Sequence, residues 1–166
     1  MSNIKELVQA RLEEFASQGG GQASLQISGP HGSLTSELLV VDKLGCAFTQ
    51  MTYESSRLAD ADNARLTAVS EDLVRRMTYL LEPLGVVELD DESASIQLRS
   101  VPPAKEDGVI RYYELVVRRG GQITLQRFEK PQDRSADRRQ ITAEVTRDVF
   151  QRLAGDMEES LSESLV

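Results

Sequence analysis

Read for the alternation of apolar and polar positions, the chain resolves into three helical stretches separated by short strand-like runs. Ile4, Leu7, Val8, Leu12 and Phe15 recur at spacings of three and four, which predicts a helix over Ile4 to Ser17. Asn3 is placed to cap it, Glu6 gives a capping-box-like start, and Gly19-Gly20-Gly21 ends it. Ala23, Leu25 and Ile27 then alternate with Ser24, Gln26 and Ser28, the pattern of a half-exposed strand. The turn Gly29-Pro30-His31-Gly32 leads to a second strand over Ser33 to Val41. The turn Asp42-Lys43-Leu44-Gly45 leads to a third over Cys46 to Tyr53. Turns this short join antiparallel neighbours, so the three strands form a meander.

Residues 54–63 are polar and predict a loop. Leu66, Val69, Leu73, Met77, Leu80 and Leu84 form the strongest periodic stripe and predict a helix over Ala64 to Glu82, closed by Pro83 and Gly85. A strand over Val86 to Leu89 pairs with one over Ala94 to Val101 across the acidic turn Asp90-Asp91-Glu92-Ser93. Pro102-Pro103 opens a loop through 108. Val109 to Arg118 and Gln122 to Glu129 then make a hairpin around Arg119-Gly120-Gly121. Residues 130–140 predict a charged loop. A third helix starts near Thr142 with Val145, Val149, Leu153 and Met157 in register, and frays into the acidic tail 158–166.

The order α-βββ-α-ββ-ββ-α indicates an α+β fold with a mostly antiparallel sheet of about seven strands, in a single domain over residues 1–157. Together with the acidic composition, this order resembles that of the class I type III secretion chaperones, whose elements run helix, three strands, helix, two strands, helix. The resemblance lies in element order and acidity, with no shared motif and with an extra hairpin here. It implies a small acidic cytoplasmic homodimer that binds the unfolded segment of another protein.

Charge changes the picture along the chain rather than in total. The net charge is −8, which disfavours general affinity for nucleic acid or anionic membrane. Residues 1–98 carry a balance of −8, residues 99–152 one of +4, and residues 153–166 one of −4. The single cysteine has no partner for an internal disulfide, the first residues show no apolar leader, and no run approaches the ~20 apolar residues that span a bilayer. These features predict a cytoplasmic protein with no membrane association.

Candidate chemistry is sparse. His31 lies between glycines in a turn and reads as an exposed turn residue, because no partner that would make it a general base or metal ligand is evident. Cys46 opens an apolar strand and reads as core rather than nucleophile. Asp60-Ala-Asp62-Asn63 with Glu71 echoes a calcium loop. Arg65 stands where that loop needs its glycine, so a cap for the second helix is the simpler role. Gly19-Gly20-Gly21 has a helix before it and a strand after it, the reverse of a phosphate loop. No cofactor or metal is predicted. Ser164-Leu165-Val166 fits a short carboxylate-capture ligand pattern, against which a frayed tail is the plainer reading.

Two features remain. Arg118, Arg119, Arg127, Lys130, Arg134, Arg138 and Arg139 could gather into a surface for phosphate, nucleic acid or an acidic peptide, with Tyr112 or Tyr113 available for stacking. Asp133 and Asp137 interleave with them, which favours a solvated or self-neutralised loop. Three amphipathic helices on one open sheet also leave an apolar sheet face or an edge to be covered. The stripe Leu66, Val69, Leu73, Met77 and Leu80 is the candidate interface of a homodimer. The sequence is thus read as a non-enzymatic binding or adaptor protein, secretion-chaperone-like, acting on a protein or peptide partner. The alternatives are a binder of anionic ligand or nucleic acid through 118–139, and an enzyme built from carboxylates and arginines alone.

Overall fold

The computed structural model describes residues 3–90, 92–133 and 137–163. Among these residues the chain forms α1 (Ile4–Ser17), β1 (Ala23–Ser28), β2 (Ser33–Val41), β3 (Gly45–Glu54), α2 (Asn63–Arg76), β4 (Leu84–Asp90), β5 (Ser95–Ser100), β6 (Ala104–Glu106), β7 (Val109–Arg118), β8 (Gln122–Pro131), β9 (Arg139–Ile141), β10 (Ala143–Thr146) and α3 (Arg147–Glu163). The α+β class and the order of helices and longer strands match the sequence expectation. The sheet runs β1-β2-β3-β8-β7-β5-β4, with every pair antiparallel. The short strands fill gaps: β10 lies beside the first half of β3, β9 beside the second half of β8, and β6 beside the start of β7.

The helices start where their caps dictate. Asn3 Oδ1 accepts from the Glu6 amide at 2.9 Å, and Asp62 Oδ1 accepts from the Arg65 amide at 2.8 Å. The aspartate cluster before α2 is therefore a cap. After α1 the chain must reverse tightly. Gly20 sits at φ +70°, its carbonyl accepts from the Val41 amide at 2.9 Å, and a Cβ there would collide with the Val41 carbonyl.

Five features differ from the sequence reading. Helix α2 ends at Arg76 rather than Glu82, with Met77 already at ψ 61°. Met77 and Leu80 are nonetheless buried, because the chain after α2 drops back onto the core at a spacing that mimics a helix. Residues 102–108 and 130–140, expected as loops, contain β6 and the start of β9, since strands of three residues carry no readable alternation. Val145 belongs to β10 opposite Cys46, so α3 begins at Arg147 and not near Thr142. At its other end α3 runs to Glu163, because Leu161 extends the buried stripe of Phe150, Leu153, Ala154 and Met157. Residues 164–166 lie outside the described residues.

One face of the sheet carries two apolar rows. The first crosses Leu25, Ser36, Met51, Leu125, Leu115, Leu98 and Val86; the second crosses Ile27, Leu34, Tyr53, Ile123, Val117, Ile96 and Leu89. The helices cover this face: α1 contacts β1 and β2, α3 contacts β3, and α2 contacts β4, β5 and β7. Every member of both rows is buried except the last, Val86 and Leu89 on β4. The opposite face is polar, with rows such as Gln26-Thr35-Thr52-Thr124-Val116-Gln97-Glu88. The open face expected to be apolar is therefore hydrophilic, and it needs no cover. No described helix is long and apolar enough to cross a membrane.

Candidate functional site

The basic segment does not assemble into one site. Because side chains alternate along β8, Arg127 points to the helix side, where it donates to Glu82 at 2.9 Å and its guanidinium lies 4.4 Å from the centre of the Tyr113 ring. Arg138 reaches over the polar face to Glu114 at 2.5 Å and lies 3.8 Å from the centre of the Phe128 ring. Arg99 donates to the same Glu114 at 2.9 Å, so this buried carboxylate is held between two guanidinium groups. Arg111 and Arg139 together hold Glu129 at 2.8 and 2.7 Å, keeping its carboxyl below the usual range. Arg119 donates to the Ala61 carbonyl at 2.7 Å. Arg118 is exposed at the end of β7, Lys130 is half-buried on β8, and Arg134 lies outside the described residues. The tyrosines point to opposite faces: Tyr113 is in the core, and Tyr112 lies beside Phe128 on the polar face.

The α2 stripe is also committed within the chain. Leu66, Val69, Leu73 and Met77 are fully buried and Leu80 nearly so, in the core under α2 and the segment after it. A second copy could not reach these side chains without unpacking that core.

His31 is exposed, and its Nδ1 lies 2.8 Å from the Arg57 guanidinium. A guanidinium can only donate, so Nδ1 is the acceptor. The free turn histidine expected from sequence is therefore tied to a neighbour at the rim of a cleft of about 530 Å³. Cys46 is buried opposite Val41 and Val145, and burial pushes its thiol up to about 12, far from a reactive thiolate. Among the described residues, no group of three or more His, Cys, Asp or Glu side chains converges as a metal site would require.

The feature that sequence reasoning passed over is the β4 edge. β4 pairs only with β5, so along its outer side the backbone donors and acceptors have no strand neighbour among the described residues. Leu81, Val86, Val87, Leu89 and Val101 lie on or beside it and are between 44 and 83 % exposed. Val101 packs over Gly85, where a Cβ would come within 3.3 Å of Val101 Cγ2. The register shifts between Val86 and Glu88, a bulge that turns Val86 and Leu89 to the same side although they are three residues apart. The edge continues into a cleft of about 520 Å³ lined by Leu81, Pro83, Pro102 and Pro103, with Glu82 and Arg127 also lining it. At the other edge, β1 turns Leu25 and Ile27 under α1 and shows serine and glutamine outward.

A Val-Val-x-Leu run was visible in the sequence as a strand. Its position at the sheet edge follows only from the pairing order. No protein-family model matches the chain, and comparison with curated proteins and with solved structures finds no match.

Proposed function

We propose that the protein is a non-enzymatic binding or adaptor protein that takes an extended segment of another protein at β4 and the adjoining proline-lined cleft. The observation that carries this reading is the way both apolar rows run out past their helical cover at Val86 and Leu89. A strand added to β4 would bury these residues and satisfy the free backbone edge, the mode known as β-augmentation. The same surface suits the chaperone-like role implied by element order, holding a segment of a partner extended. The alternatives gain less support. Arg127, Arg138 and Arg139 are already paired with Glu82, Glu114 and Glu129, which leaves little free positive charge for an anion. Three buried carboxylates, Asp72, Glu82 and Glu114, are engaged by arginines rather than poised to move protons.

The test uses the full chain and a peptide alternating valine and serine over ten residues. Amide hydrogen exchange along β4 slows when this peptide is added, and the slowing is lost in the double variant Val86→Ser/Leu89→Ser. Equal exchange with and without peptide sinks the reading, as does identical protection in the variant.

A further inference from the structure

The two sides of β4 specify more than strand addition. Val86 and Leu89 stand on the helix side, opposite Leu98 and Ile96 of the core. Glu88 and Asp90 stand on the other side, in the polar rows opposite Gln97 and Ser95. Exposed Glu92 follows in the turn. Among the described residues, none of Glu88, Asp90 and Glu92 is in an ion pair. The Ser93 hydroxyl, and then the Ser93 and Glu92 amides, hydrogen-bond to the Asp90 carboxylate, contacts that favour its ionised form. The edge is therefore an amphipathic strand, apolar toward the helices and anionic toward the open face, and the backbone between has no strand neighbour on its outer side among the described residues.

We infer that the segment bound at β4 alternates apolar residues with lysine or arginine, so that its apolar side continues the rows ending at Val86 and Leu89 and its basic side faces Glu88 and Asp90. This inference rests on the strand-addition reading above and names the chemistry of its partner. Side chains of neighbouring strands on one face stand directly opposite each other, and opposite charges there attract while like charges repel. A second copy of this chain pairing through its own β4 would bring Glu88 and Asp90 toward their equals on a molecule of net charge −8. A basic segment meets the same edge with complementary charge, and its period of two follows from the strand geometry.

The experiment compares three ten-residue peptides that share alternate valines and carry lysine, serine or glutamate between them. Binding to the full chain is followed by β4 amide exchange and by titration at low and high salt. The lysine peptide binds about tenfold more tightly than the glutamate peptide at low salt, and the gap closes at high salt as screening sets in. The double variant Glu88→Gln/Asp90→Asn abolishes the preference for the lysine over the glutamate peptide. If the glutamate peptide binds at β4 as tightly as the lysine peptide, the charge inference is overturned while strand addition stands. If no peptide protects β4, both fall. If sedimentation shows a dimer whose formation protects β4 and is lost in Val86→Ser/Leu89→Ser, the occupant is a second copy and the inference is overturned.

Discussion

Arg127 donates a hydrogen bond to Glu82 across 2.9 Å, and each side chain is about nine-tenths buried. The pair joins β8 to the segment that follows α2, and so fixes the chain leading into β4. Arg127→Met would leave the Glu82 carboxylate buried without its partner, which predicts a loss of about 3–5 kcal/mol in urea denaturation. The double variant Glu82→Leu/Arg127→Met removes both charges and recovers most of that loss. A single-variant loss below about 1 kcal/mol would mean that water in the cleft already solvates the carboxylate.

Much of the fold was legible because its longer elements obey a period. The stripe of α1, the alternation of β1 and the hairpin of β7 and β8 each mark a single face over several turns or pairs. The end of α2 was not legible: Met77 and Leu80 keep helical spacing by coincidence after the helix has stopped. The strands β6, β9 and β10 were not legible either, since each is defined by the neighbour it pairs with. For the site, the alternation of charge in the basic segment pointed toward self-neutralisation. Which carboxylate meets which arginine depends on contacts as distant as Glu82 to Arg127. The β4 edge was hidden for the same reason: strand order, and hence which strand is last, is a property of the assembled sheet.

Gly20 provides a test of backbone geometry. It combines φ +70° with an approach to the Val41 carbonyl that leaves no room for a Cβ. Gly20→Ala should cost about 1–3 kcal/mol. Gly21→Ala, where neither a left-handed φ nor a close neighbour applies, should change stability by about 1 kcal/mol or less. Thermal or urea unfolding of the two variants side by side checks the contrast, and equal effects would refute it.

Acid stability should depend on Asp72. Burial pushes its carboxyl up, but hydrogen bonds from Arg76 and Arg75 outweigh this and hold it below the usual range. A carboxyl lowered on folding contributes stability above its unfolded value of about 3.9 and loses it as the pH falls through the folded value. The urea midpoint should therefore fall more steeply between pH 5 and pH 2 (roughly the span over which such a group titrates) in the native chain than in Asp72→Asn. Parallel curves for the two proteins would contradict the assignment.

Cys46 should behave as a core side chain. With its thiol raised to about 12, almost none is thiolate near neutrality. Alkylation by iodoacetamide at mildly alkaline pH should be at least about a hundredfold slower in the folded chain than in urea. Comparable rates would place Cys46 in an open, activated site.

Arg138 distinguishes a structural clamp from an anion-binding surface. Its guanidinium lies on Phe128 and closes over the buried Glu114. Arg138→Glu would set a second carboxylate against Glu114. Because Arg138 is itself more than one-third exposed, the expected loss is about 1–3 kcal/mol rather than that of a fully buried pair. Arg139→Glu, at the exposed end of the segment, should cost no more than about 1 kcal/mol. Titration with heparin at low salt supplies the second readout, because a clamp predicts no appreciable binding by the native chain. Salt-sensitive heparin binding that weakens in Arg139→Glu, without loss of stability, would make residues 118–139 the functional surface in place of β4.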